Sequence, residues 1–142
     1  MIIAVDFDGT IVENRYPDIG PEKPFATETL RMLIEKGHLL VLWTVRQGPD
    51  LDEAVRWCHE RGVDFYAVNK DYPEETQHGN NRYSRKLKVD IFIDDRNVGG
   101  IPDWGTIYRI ITENKTTEQI ITEKIRNDGD ENHKTSKRWW QI

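Results

Sequence analysis

The sequence predicts an α/β fold: a doubly wound parallel sheet with helices on both faces, forming a three-layer sandwich. Two observations predict it. Short, continuous, β-branched apolar runs recur along the chain, as they do in strands buried on both faces. Segments with helical spacing separate those runs, and such alternation implies parallel strands joined by crossover helices. The length of 142 residues suits one domain with a sizeable core.

The first strand is the run Ile2–Val5, which stops at Asp6. Phe25, Thr29, Met32, Leu33 and Lys36 follow helical spacing, so a helix is expected over residues 25–36, with Gly37 as its stop. Residues 38–43 form a second apolar strand that ends at Thr44. Residues 51–61 read as a helix capped by Asp50 and stopped by Gly62. A short strand is expected at 65–68. Residues 69–85 are polar, carry Pro73 and Gly79 and show no period, which predicts a long loop of the kind that is often functional. The fourth strand, 89–93, ends at Asp94-Asp95. Residues 102–112 are expected to hold a short helix or a strand-like turn. Ile120, Ile121 and Ile125 give residues 116–126 an amphipathic helical pattern. The domain therefore spans 1–126, and 127–142 is a polar C-terminal tail ending in Trp139-Trp140 and Gln141-Ile142.

Hydrophobic residues make up 37% and charged residues 32%, the balance of a soluble protein rather than a fibre or a membrane protein. The net charge of −5 argues against nucleic acid as the main partner, because such domains carry a basic face. Cys58 is the single cysteine, so no internal disulfide forms and a reducing cytoplasm is the simple expectation. Its helical surroundings predict a small buried side chain rather than a reactive thiol. No apolar run approaches the roughly 20 residues that span a bilayer. The opening Met1-Ile2-Ile3-Ala4-Val5-Asp6 has no basic region and reaches an acid too early for a signal peptide.

In doubly wound sheets ligands sit beyond the carboxyl ends of the strands. Three of the expected strands stop at residues with phosphate or metal chemistry: Asp6, Thr44 and Asp94-Asp95. In Asp6-Phe7-Asp8-Gly9-Thr10 two carboxylates lie two residues apart beside a glycine. One can attack phosphorus while the other moves protons to and from the leaving oxygen. An aspartyl-phosphate divides one hard hydrolysis into two easier steps. An anion attacking another anion needs a cation between them, and hard oxygen ligands suit Mg²⁺. Gly9 would let backbone N–H groups come close to the phosphoryl oxygens.

Asp6-Phe7-Asp8-Gly9-Thr10, after its apolar strand, resembles the first motif of the haloacid-dehalogenase-like phosphatases, D-x-D-G-T. The resemblance implies the Rossmann-like sheet of that superfamily, with Asp6 as nucleophile. It makes Asp8 the general acid/base, which also lends a backbone carbonyl to Mg²⁺. Gly9 and Thr10 then count among the phosphate-binding positions. In Leu42-Trp43-Thr44-Val45-Arg46, Thr44 stands where the family places a Thr or Ser that hydrogen-bonds a phosphoryl oxygen, with Val45 beside it. Arg46 is either a substrate contact or one half of a salt bridge. The family also has a lysine ahead of the last strand, whose charge stabilises the phosphoryl group. Lys86 fits by its distance from Asp94, and Lys88 is the alternative. Two adjacent acids ending a buried strand are costly unless paired or bound to metal. The family's double-acid motif maps Asp95 to Mg²⁺ and Asp94 to its water shell, in that order or reversed. The implied metal set is Asp6, Asp8, Asp94 and Asp95.

These motifs cover roughly residues 1–100. The gaps between them leave no room for a large cap domain, so the resemblance implies a member with little or no cap and an open site. The implied activity is Mg²⁺-dependent hydrolysis of a phosphate monoester, on a small phosphorylated substrate. The alternatives are a phosphotransferase using the same aspartyl-phosphate, and a catalytically silent binding protein of the same fold. A phospho-accepting receiver domain fits less well, because it places its phosphorylated Asp on a central strand after the acidic pair. His59 and His78 lack metal-ligand spacing, so zinc is not expected. His78, with its neighbours from Asn80 to Tyr83, either touches substrate or belongs to an ordinary loop. Tyr16, Asp18 and Lys23 belong either to a small flap beside the site or to a surface loop. Trp139-Trp140 either dock on the domain or make a homo-oligomer contact.

Overall fold

The structure is a computed structural model that describes residues 1–76 and 84–139, with side chains as far as residue 129. These residues fall into two compact units, Met1–Ile101 and Pro102–Ile142. In chain order the first unit carries β1 (Ile2–Val5), β2 (Val12–Arg15), β3 (Asp18–Glu22), α1 (Ala26–Glu35), β4 (Leu39–Leu42), α2 (Gly48–Glu60), β5 (Ala67–Val68) and β6 (Ile91–Ile93).

Strands β1, β4, β5 and β6 form one parallel sheet of four strands in the order β5-β4-β1-β6. This is a mixed α/β, Rossmann-like arrangement. The connections β1-α1-β4 and β4-α2-β5 step in the same direction, so right-handed crossovers place both helices on one face. Alternation along the strands sorts their side chains. Ile3, Val5, Leu40 and Leu42 are fully buried toward one side. On the other side Ala4, Val41 and Ala67 cluster with Leu87, and Ile2, Trp43, Val89 and Phe92 pack around them. Both faces are thus covered, which is why the strands read as unbroken apolar runs. After β5 the chain crosses back to the far side of β1. The strand order therefore reverses between β1 and β6, which makes that edge the topological switch point.

Several elements differ from expectation. Residues 12–22, expected as a flap or a surface loop, form the antiparallel hairpin β2–β3, with Arg15 opposite Asp18 and a cis Tyr16–Pro17 peptide in its turn. Helix α2 begins at Gly48, with Gln47 as its N-cap and Pro49 in the first turn. Asp50 therefore lies inside the helix instead of capping it, because proline's fixed φ preorganises an earlier start.

The second unit holds α3 (Trp104–Glu113) and α4 (Thr117–Trp139). Residues 102–112 thus resolve to a helix. Asp103 caps it by accepting from the Thr106 N–H at 3.0 Å and from the Thr106 hydroxyl at 2.7 Å. Thr116 and Gln119 cap α4 reciprocally: Thr116 N–H donates to Gln119 Oε1 at 2.8 Å, and Gln119 N–H to Thr116 Oγ1 at 3.2 Å. Arg109 and Lys115 each bind both Glu113 and Glu123. Helix α4 continues past Arg126 to Trp139, so most of the expected polar tail is helical. No helix among the described residues is long and apolar enough to cross a membrane. His78 and Trp140 lie outside the described residues.

Candidate active site

The sheet register builds the site. Val5 is level with Leu42 and Ile93, and Leu42 with Val68. Backbone bonds extend the ladder one step: Asp6 N–H donates to Ile93 O at 3.0 Å and Asn69 N–H to Leu42 O at 2.7 Å. Asp6, Asn69 and Asp94 consequently leave the sheet at one level, with Thr44 one residue past it. A cleft of about 280 Å³ opens there, lined by Asp6, Asp8, Trp43, Thr44, Val45, Asp94 and Arg96.

Three carboxylates meet at the switch point. Oxygens of Asp6, Asp94 and Asp95 lie within 4.8 Å of one another. Thr10 ties two of them together. Its hydroxyl is 3.2 Å from Asp6 Oδ2 and 3.3 Å from Asp95 Oδ1, and its oxygen accepts the Asp95 N–H at 3.1 Å. Thr10 is fully buried, so this bridge is shielded from water. Burial, the nearby Asp94 charge and the hydrogen bond with Asp95 push Asp6 up to about 7, against the opposing pull of the Phe7 N–H and the Thr10 hydroxyl.

Gly9 has a different reason to be glycine from the expected one. Its φ is +88°, and a Cβ there would lie 2.3 Å from Asp95 Oδ2. Its N–H donates to Val12 O at 2.7 Å, and that of Thr10 to Phe7 O at 3.2 Å. Both N–H groups serve the turn instead of waiting for a phosphate. Gly9 and Thr10 shape the carboxylate cluster.

Asp8 lines the same cleft but its carboxylate stands apart from the three acids. It is forked by Arg46, with Nε 2.7 Å from Oδ2 and Nη2 2.8 Å from Oδ1. Arg46 is 0% exposed. Its remaining N–H groups reach Pro17 O at 3.0 Å, Asp18 O at 3.0 Å and Asp50 O at 3.4 Å. The guanidinium has five N–H donors and all five are taken by the protein. Of the two roles open to Arg46, substrate contact gives way to the salt bridge, because no donor is left over.

Thr44 N–H donates to Asn69 Oδ1 at 2.8 Å, and Thr44 Oγ1 accepts the Arg46 N–H at 3.1 Å. That leaves the Thr44 hydroxyl hydrogen to be donated into the cleft. Val45 is 76% exposed at the rim, with Arg96 also exposed. Asp94 accepts the Arg96 N–H at 3.0 Å, and the Asn97 side chain donates to Asp94 O, closing the turn after β6. Lys86 is exposed, with Nζ 5.8 Å from the Phe92 ring centroid, and is not among the residues lining the cleft. Lys88 N–H is held by Asp71. Asn69 is the residue that sequence reasoning passed over. Its signal was its place: like Asp6 and Asp94, it follows directly on an apolar run.

No family model matches the chain, and no curated protein does. The chain is similar to a solved structure, that of a conserved protein coded by a locus of Bacteroides thetaiotaomicron. The two share 65% identity over 84% of this chain and 96% of the other, with a TM-score of 0.78. At that identity and coverage, the chain belongs to the same family as this conserved Bacteroides thetaiotaomicron protein.

Proposed function

We propose that this protein is a Mg²⁺-dependent phosphate-monoester hydrolase of the haloacid-dehalogenase-like type, working through an aspartyl-phosphate on Asp6. The observation that carries the reading is the meeting of Asp6, Asp94 and Asp95 at the switch point, where Asp6 and Asp94 line one cleft with Thr44. The motifs that resemble that superfamily point to the same residues.

The donor set fits the metal. Three carboxylates with oxygens within 4.8 Å suit a hard divalent cation. Bound there, Mg²⁺ would screen the phosphoryl charge from Asp6 and keep Asp6 ionised.

The chain's own residues then divide the work. An Asp6 oxygen bonds to phosphorus as the ester oxygen departs, and Asp8 gives that oxygen a proton. Water next attacks phosphorus and returns a proton to Asp8, while the Asp6–phosphorus bond breaks and inorganic phosphate leaves. A carboxylate has about four acceptor sites, so the two Arg46 bonds still leave each Asp8 oxygen a lone pair for that proton. The Thr44 hydroxyl would donate to a phosphoryl oxygen. Between Asp8 and Thr44 stand the β2–β3 hairpin and α1. With so little cover, the cleft would admit the phosphoryl group and leave much of the alcohol outside.

The test is turnover of p-nitrophenyl phosphate and a panel of sugar and nucleotide phosphates, with and without Mg²⁺, by wild type and Asp6→Asn. Mg²⁺-dependent release by wild type and none by Asp6→Asn is expected. Equal rates for the two proteins would sink the mechanism, and no turnover of any ester would sink the hydrolase reading.

A further inference from the structure

The only fully buried charged side chain among the described residues is Arg46. Burying a guanidinium is costly unless every N–H finds a partner, and here every one does. Those partners come from three places in the fold. Two are the oxygens of Asp8, just past β1. Two are the carbonyls of Pro17 and Asp18, in the turn of the β2–β3 hairpin. The fifth is the carbonyl of Asp50, in the first turn of α2. Two rings also hold the group, with the centroids of Phe7 and Tyr16 each 5.2 Å from its Cζ. The Tyr16 hydroxyl reaches Asp50 Oδ2 at 3.4 Å, which closes the shell on its exposed side.

We infer that Arg46 is the positioning residue of the site, fastening Asp8 and the turn of the β2–β3 hairpin into one rigid unit so that Asp8 meets the leaving oxygen in a fixed pose. The inference rests on the proposed role of Asp8 in proton transfer. It makes the hairpin turn a fixed support for Asp8, since opening it would strip two acceptors from a buried cation. Distortion of the hairpin turn then reaches Asp8 through the guanidinium, while the base of the hairpin is tied to the same segment by the Gly9 N–H bonded to Val12 O at 2.7 Å. Lysine cannot replace the fork. It offers a point charge with three donors in place of a planar five.

The experiment compares wild type, Arg46→Lys, Tyr16→Ala, Gly20→Ala, Asp8→Asn and Asp8→Asn/Arg46→Lys in the full chain. Gly20 is a remote handle on the hairpin. It is buried in β3, and a Cβ there would lie 2.2 Å from the Glu13 carbonyl oxygen. Two esters separate positioning from general damage: p-nitrophenyl phosphate, whose leaving group needs little protonation, and a simple alkyl phosphate, whose leaving group needs a proton.

Arg46→Lys is expected to lower kcat by about 100-fold on the alkyl ester and only about threefold on the aryl one, with little change in KM. Gly20→Ala is expected to show the same bias in weaker form, and the double variant to be no slower than Asp8→Asn alone. Amide exchange should quicken at residues 16 and 18–20 and at residues 7–9 in Arg46→Lys. Equal losses on the two esters, an additive double variant or unchanged exchange would each overturn the inference. Should Arg46→Lys show no cooperative unfolding transition, Tyr16→Ala decides by the same ester bias, since it removes a ring from the guanidinium and leaves the Gly9–Val12 bond in place. If wild type hydrolyses neither ester, the hydrolase reading fails by itself, and amide exchange alone then decides whether Arg46 couples the hairpin to Asp8.

Discussion

Replacing Asp6 by asparagine should stabilise the metal-free protein above neutral pH while abolishing turnover. Asp6 rises from 3.8 to about 7 on folding, a change of about three units. Between about pH 4 and pH 7 the native state therefore keeps a proton that the unfolded chain has released, so wild-type stability declines as pH climbs through that window. At 1.36 kcal/mol per unit the full penalty would be about 4 kcal/mol, and solvent reaching the open cleft reduces it to about 2 kcal/mol. Asparagine carries no such charge. Its oxygen can still accept from the Thr10 hydroxyl, and its amide can donate to Asp95. In EDTA near pH 8.5, Asp6→Asn should melt about 5 °C above wild type, and near pH 5 the gap should all but close. Saturating Mg²⁺ should reverse the order at high pH, raising wild type well above the variant. The assay is thermal melting at both pH values with and without the metal. A variant less stable than wild type in EDTA near pH 8.5, or a gap that ignores pH, would refute the reasoning.

Two further outcomes are expected. Gly9→Ala forces a side chain into a left-handed backbone position and onto the Asp95 carboxylate, so it should cost at least about 1–2 kcal/mol in urea unfolding and weaken Mg²⁺ affinity about tenfold by titration calorimetry. Wild-type stability and metal affinity in that variant would show that Asp95 can move aside. Burial pushes the Cys58 thiol up to about 12, so native protein near pH 8 should react with a thiol reagent about a thousandfold more slowly than the urea-unfolded chain. Complete labelling of the native protein within minutes would contradict that burial.

The strands of the parallel sheet were legible because the central ones, β1 and β4, are buried on both faces over most of their length and so read as apolar runs. The hairpin was not. Val12–Arg15 and Asp18–Glu22 expose most of their side chains and carry no alternation for a pattern to reveal. They are held from outside their own sequence, by the Lys23 N–H bonded to Ile11 O and by Arg46 at the turn. The far half of α4 was hidden for a related reason. Apolar spacing reports the stripe a helix buries, and after Ile125 there is no stripe to report. Such a helix can run on without any periodic sign of it.

The site divides along the same line. That Asp6, Thr44 and Asp94-Asp95 would converge follows from topology, because parallel strands all end on one edge and the switch point opens between two of them. Which of those acids share a cluster does not follow. Asp6 and Asp8 look equivalent in sequence, two carboxylates in one turn. The fold separates them by giving each a different neighbour. Asp6 faces Asp94 and Asp95, where burial, the Asp94 charge and the hydrogen bond with Asp95 raise its affinity for a proton. Asp8 faces a buried guanidinium that occupies one acceptor position on each of its oxygens. Arg46 produces that asymmetry from 38 residues away in sequence. Its charge alone gave no hint of it, because the same residue on a loop would ordinarily be solvated. Burial against Phe7, Tyr16 and the hairpin turn turns it from a surface cation into the neighbour that sets two similar aspartates in different surroundings.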